Sequence, residues 1–298
     1  MLKEISLHSD FGAELRDVQL LDVVCDHDVY LAVRAALDEH SLLLFRDQRI
    51  TDELQATFSR AFGPLELTKV GSVGAGTFYV GVTNIGPEGM VVPPSHRQAL
   101  VARANQLWHT DSTFKRVPAL ASVLSARVVP SSGGETEFAS TRAAWNRLPD
   151  DQRRRLAEFT GVHNYFFSRR KIDPAIVTQQ ERDALPDVRW RMVWTNPRNG
   201  RSALYVASHL GAIDGVPDAD AAALIEQLIA DATRPEHTYQ HRWRAGDVLM
   251  WDNRATVHRG RLWPDNQPRV MTRTTISATE EDGIASVRPA GAASLTSP

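Results

Sequence analysis

A chain of 298 residues can hold one large domain or two small ones, and its 42% hydrophobic, 23% charged composition is that of an ordinary globular protein. A formal net charge of −2 gives no electrostatic reason to expect nucleic acid or a membrane surface as a partner. The single cysteine, Cys25, excludes an internal disulfide; with no signal-like apolar start and no run of about 18 apolar residues, a cytoplasmic protein is expected.

In chain order, Val29, Val33 and Leu37 recur at helical spacing over residues 29–38. Residues 41–45 form a short apolar run that suits a buried strand. Thr51 can cap a helix carrying Leu54, Phe58 and Phe62, which Gly63-Pro64 ends. From 69 to 105 the texture changes. Gly71, Gly74, Gly76, Gly81, Gly86, Pro87, Gly89, Pro93 and Pro94 punctuate a segment with one expected strand, 77–83. It reads as an active-site lid and specificity loop. Residues 119–128 read as a strand, 130–134 as a turn, and 141–160 as one helix anchored by Trp145, Leu148, Leu156 and Phe159. Strands at 190–195 and 203–207 flank a turn at 196–200. A helix over 218–231 and strands at 238–243, 247–252 and 270–276 complete a single domain, 1–286. The tail, 287–298, is expected to be disordered. Many short strands with a few helices predict a mainly β fold with helical insertions, a sandwich or jelly roll.

The chemistry concentrates in Asn105-Gln106-Leu107-Trp108-His109-Thr110-Asp111. On an extended backbone His109 and Asp111 point to one face. An imidazole and a carboxylate so placed are two thirds of a 2-His-1-carboxylate triad, the Fe(II) site of non-haem oxygenases. His258, far along the chain, is the candidate third ligand. Three protein ligands on one face leave three positions open, two for a 2-oxoacid and one for O₂. A chelating 2-oxoglutarate has a second carboxylate that needs a cation, and an arginine fork suits it. Arg269 and Arg273 share a strand face but lie roughly 13 Å apart along it, at about 3.3 Å per residue. That separation suits two different anions rather than a shared one; Arg269 is assigned to 2-oxoglutarate and Arg273 to an anionic substrate. Arg259 and Arg261 read as surface charges. Asp252 or Asn253 can orient the ligands from behind.

Residues 104–114, 133–138 and 251–273 resemble the signature blocks of the 2-oxoglutarate-dependent dioxygenases of the taurine and 2,4-dichlorophenoxyacetate type. The similarity spans about 41–277. Asn105–His109, Gly133–Phe138, His241-Arg242-Trp243, Trp251-Asp252-Asn253-Arg254 and His258–Arg261 are closer to the phenoxyacetate branch. The resemblance implies a double-stranded β-helix (jelly roll, cupin-like) and Fe(II), 2-oxoglutarate and O₂ as cofactor and cosubstrates. It implies His109, Asp111 and His258 as iron ligands, Thr136 beside Arg269 at the 2-oxoglutarate carboxylate, and Arg273, Asn105 and His209 on the substrate side. The histidine that contacts sulfonate in taurine enzymes is missing near Thr68, where Lys69 can offer a cation instead. The expected reaction is hydroxylation of a small anionic substrate, an aryloxyacetate-type acid, with succinate, CO₂, a phenol and glyoxylate as products. Phe114, Phe166 and Phe167 can line an aryl pocket. A homo-oligomer is the expected assembly. Alternatives stay open: an alkylsulfonate or alkyl sulfate dioxygenase, a zinc hydrolase using the same ligands, or a non-catalytic anion-binding barrel.

Overall fold

Leu42-Leu43-Leu44-Phe45 is apolar at every position because both faces of its strand are covered. Side chains alternate along a strand. Leu42 and Leu44 join one core cluster, while Leu43 and Phe45 join another. The structure, a computed structural model, describes residues 2–69 and 71–289.

The strand belongs to a seven-stranded sheet. Its order is Lys3–Ser6, Ala13–Arg16, Leu42–Phe45, Val248–Asp252, Ala119–Val128, Val270–Ser277 and Val80–Thr83. The pairing is antiparallel except between Ala13–Arg16 and Leu42–Phe45. A three-stranded sheet of Thr238–His241, Thr136–Ser140 and Thr256–Gly260 lies opposite. From Ala119 onward the chain shuttles between them: large sheet, small sheet, an excursion, then small, large, small, large. Phe138 of the small sheet meets Leu42, Leu44, Leu124, Leu249 and Trp251 of the large one, so the inner core lies between the two sheets. The outer face of the large sheet packs under helices His27–His40 and Asp52–Ala61 through Val33, Leu37, Phe58 and Phe62. The result is a sheet-rich molecule with helices.

Local chemistry sets the helix ends. Thr51 accepts from Leu54 N at 3.2 Å and caps the second helix as expected. Gln55, at 0% exposure, roots that helix on the sheet by donating to Val123 O and Thr272 O at 3.0 Å each.

Three expectations change. The single helix over 141–160 is two, Thr141–Arg147 and Asp150–Glu158. Pro149 has no N–H to donate, and it pushes Leu148 to an extended ψ of 143°. In the 69–105 segment the strand is shorter, Val80–Thr83, and a helix, Arg97–Ala104, follows Pro94. The glycines and prolines hid it, although 97–104 contains neither. The supposed tail is ordered at its start, because Val287 ends a short helix, Ile284–Val287, and is buried. Residues 290–298 of that expectation lie outside the described residues.

Behind the sheet sits a buried ion network. Arg254 holds Asp252 at 2.8 Å and Asp38 at 3.0 Å, and Arg34 bridges Asp38 and Asp282. It joins the first long helix, the end of a central strand and the C-terminal turn. Removing one partner strands buried charge, so Arg254→Met should cost about 3–5 kcal/mol in urea unfolding. An unchanged midpoint would show that the network does not hold these elements together.

Candidate metal centre and its two cavities

His109 and His258 are directly opposed across an antiparallel bridge. Each backbone N–H donates to the other's carbonyl, at 2.9 and 2.7 Å. A directly opposed pair projects its side chains to one face, and the ring centroids are 4.2 Å apart. Asp111 reaches the same point by another route than the expected strand. The chain leaves the bridge at Thr110 and turns, with Ser112 at φ 56°. Asn253 fixes this turn. Its side-chain oxygen accepts from Asp111 N, Thr110 Oγ1 and Trp251 Nε1 at 3.0–3.1 Å. Its amide donates to Ser122 Oγ at 3.0 Å, and Ser122 Oγ donates to Asp111 Oδ2 at 2.7 Å. Of the two expected orienting residues, Asn253 therefore does the orienting, while Asp252 serves Arg254. Ser122 was invisible in the sequence, where it is one small residue in an apolar strand.

One ligand atom from each of His109, Asp111 and His258 lies within 4.8 Å of the others. His109 Nδ1 bonds Leu107 O at 2.8 Å, which places the proton there and leaves Nε2 as the ligating nitrogen. Burial holds His109 down to about 4 and His258 well below the usual imidazole range. Burial would raise the Asp111 carboxyl, but the charge of Arg273 overrides it and the group is held down to about 2. At neutral pH the trio is two neutral imidazoles and a carboxylate, the protonation state a divalent ion requires. With no thiolate in the set, the donors fit ferrous iron.

Two cavities meet here. Arg269, Thr136, Asn84, Leu124 and Trp263 line the first, together with His109 and His258. Arg269 is 5% exposed and has no carboxylate within ion-pair distance among the described residues. Burial lowers it to about 10. Gly134 makes room for it: at φ +71°, a Cβ there would sit 3.2 Å from Arg269 Nε. Thr136 Oγ1 accepts from Trp243 Nε1 at 3.0 Å.

The second cavity has His109, Asp111, His209, Phe114, Tyr165 and several cations in its walls. Lys69 and Arg97 both pair with Glu181, at 2.8 and 2.7 Å. Lys115 pairs with Glu66 at 2.7 Å. Asn105 and Arg273 border both cavities, and the Arg273 guanidinium contacts Asp111 Oδ1. His209, 1% exposed, bonds Ser168 Oγ through Nδ1 at 3.0 Å. Of the three phenylalanines proposed for an aryl pocket, Phe114 lines this cavity. Phe166 instead lies under the Arg182 guanidinium, and Phe167 faces a separate groove. Arg259 pairs with Glu137 at 2.6 Å and lies over the Trp108 ring, away from the metal ligands.

Residues 3–275 match the family described as taurine catabolism dioxygenase TauD, TfdA family. The chain belongs to this family. This dioxygenase is 36% identical over 274 residues to the alpha-ketoglutarate-dependent 2,4-dichlorophenoxyacetate dioxygenase of Cupriavidus pinatubonensis, covering 90% of this chain and 95% of that one. It is 32% identical over 281 residues to the alpha-ketoglutarate-dependent sulfate ester dioxygenase of Pseudomonas putida, covering 92% and 88%. The crystal structure of AAD-2 in complex with Mn(II) and N-oxalylglycine matches with a TM-score of 0.86 at 34% identity, across 95% of this chain and 98% of that one. The dioxygenase thus has the cupin-like jelly-roll fold of its family, and it is an oxidoreductase. Among the described residues no helix is long and apolar enough to cross a membrane.

His109→Ala should abolish tight binding of a divalent metal in a calorimetric titration; normal uptake would dismiss the cluster as a metal site. Asn253→Ala keeps all three ligands but frees Asp111, and should weaken metal binding by about 10- to 100-fold. Wild-type affinity in that variant would remove Asn253 from its orienting role.

Proposed function

We propose that this dioxygenase uses Fe(II), 2-oxoglutarate and O₂ to hydroxylate a small organic anion, an aryloxyacetate-type acid such as 2,4-dichlorophenoxyacetate. The scaffold we assign is a double-stranded β-helix. The observation that carries the reading is the meeting of two cavities at His109, one reaching His258 and a buried arginine with no acid beside it among the described residues, the other reaching Asp111.

His109, Asp111 and His258 hold the iron. Arg269 takes the distal carboxylate of 2-oxoglutarate, because a buried guanidinium with no acid beside it is costly until an anion arrives. Thr136 accepts from Trp243, so its own O–H is available to that carboxylate. The bound iron, with 2-oxoglutarate and O₂, supplies the oxidising power that yields succinate, CO₂ and a hydroxylated carbon. When that carbon bears an ether oxygen, the hemiacetal product collapses to a phenol and glyoxylate.

The protein positions the C–H bond and keeps water out. Asn105, His209, Arg273 and Lys69 stand on the substrate side, with Arg273 also steadying Asp111. The 69–105 segment acts as a lid over this cavity, tied by Lys69 and Arg97 to Glu181. A sulfate ester is the second reading. The near full-length likeness to the Pseudomonas putida enzyme favours it.

Screening aryloxy acids, alkylsulfonates and alkyl sulfates for substrate-dependent succinate formation tests the choice. Succinate with aryloxy acids is the expected result; a response to sulfates alone would reverse the order of the readings. Under anaerobic conditions, Fe(II) and 2-oxoglutarate should give a weak visible charge-transfer band. Arg269→Ala should raise the 2-oxoglutarate concentration needed for that band by roughly 30-fold or more, as expected for truncating one partner of a buried charge pair. An unchanged titration would remove Arg269 from the site.

A further inference from the structure

One residue of the 69–105 segment is fastened to the buried arginine of the first cavity. Val80–Thr83 pairs with Val270–Ser277 as far as Thr83 opposite Val270. At the next position, Asn84 against Arg269, the pairing changes. Asn84 N still donates to Arg269 O, at 3.3 Å, but Arg269 N donates to the Asn84 side chain, Oδ1, at 2.8 Å. The Asn84 carbonyl instead accepts from Val92 N at 2.9 Å, within a hairpin where Gly86 N donates to Met90 O at 2.8 Å. A side-chain amide carries both an acceptor and donors, so it can replace a backbone bond that the departing chain no longer makes. Its donor is used as well, on Gln267 O at 2.8 Å. Gln267 O also accepts from Trp263 Nε1 at 3.2 Å, and the Trp263 ring centroid lies 5.2 Å from the Arg269 guanidinium. Asn84 therefore holds the Arg269 backbone directly and, through one carbonyl, the ring beside its guanidinium. It is 8% exposed and lines the same cavity as Arg269 and Trp263. Among the described residues the guanidinium makes one hydrogen bond, from Nε to Gly134 O at 3.3 Å. Its aim thus depends on how firmly its backbone is held.

We infer that Asn84 is a positioning residue for the 2-oxoglutarate site: it sets the backbone of Arg269 and so the direction of the guanidinium toward the distal carboxylate. The inference rests on the dioxygenase reading above and adds to that site a residue supplied by the lid. The 69–105 segment then serves both cavities, because its Val82 and Ala102 border each of them. Losing the Asn84 side chain leaves the buried Arg269 N–H without its partner and frees the end of the strand. A preorganised site loses affinity when the contacts behind it are loosened.

Calorimetric binding to Mn(II)-loaded protein tests this without turnover. N-oxalylglycine carries a metal-chelating oxalyl group and a distal carboxylate, whereas oxalate carries the chelating part alone. Asn84→Ala should weaken N-oxalylglycine by about 10-fold or more, as for removal of a group that orients a ligand-holding side chain, and leave oxalate within about twofold. In protein that already carries Arg269→Ala, the same substitution should change N-oxalylglycine binding by less than about twofold, because the two residues act as one unit. Asn84→Ser, a milder change, carries the same measurement should the Ala variant fail to fold. Equal losses for both chelators in the folded variant would make Asn84 a general packing contact and overturn the proposal. So would N-oxalylglycine binding that is undiminished, or a loss that persists in full without Arg269; the 2-oxoglutarate site would then stand and the role of Asn84 would fall. If Arg269→Ala by itself leaves N-oxalylglycine binding unchanged, the site and the positioning role fall together.

Discussion

The site depends on one backbone interaction, the reciprocal pair of hydrogen bonds between His109 and His258. It brings together two residues that are remote in sequence and gives their side chains a common direction through the backbone alone. Everything else at the centre adjusts to that pair. The turn at Asp111 is closed by Asn253, whose oxygen gathers three donors. Ser122 takes one carboxylate oxygen and Arg273 contacts the other. Few degrees of freedom remain for a metal to organise, which is how a preformed ligand set spares the entropy of assembling one.

Charge explains the arrangement around that centre. Burial keeps both imidazoles neutral, so the protein contributes a single negative charge to the metal, and a ferrous complex is left net positive. An anionic chelate suits such a centre. The buried Arg269 extends the same logic outward, with no acid of its own among the described residues. In the second cavity Glu181 turns both its oxygens to Lys69 and Arg97, and Glu66 meets Lys115. Selective neutralisation therefore marks where an anion is wanted better than the number of cations does.

Much of the scaffold was legible because local rules decided it. The Thr51 cap, the buried run at 42–45 and the strand Ala119–Val128 followed from capping chemistry and apolar patterning. The failures also have local causes. Pro149 breaks a helix that hydrophobic spacing alone had joined. Glycine and proline density concealed the helix Arg97–Ala104. At the site, the three ligands were legible from residue type and spacing, although the geometry imagined for Asp111 was a strand and is a turn. Thr136 and His209 needed a family resemblance to be noticed at all. Ser122 left no trace, because a serine in a strand looks the same whether or not it meets a ligand's carboxylate.

By itself the sequence determined the donor set, the short apolar runs that build two facing sheets, and the presence of several basic side chains near the site. Tertiary structure decided which of those charges stay uncompensated. That outcome depends on which acid each base meets across the fold, as Glu181 meets both Lys69 and Arg97 while Arg269 meets none among the described residues. Pairings between residues far apart in the chain are set by packing, and no local pattern encodes them.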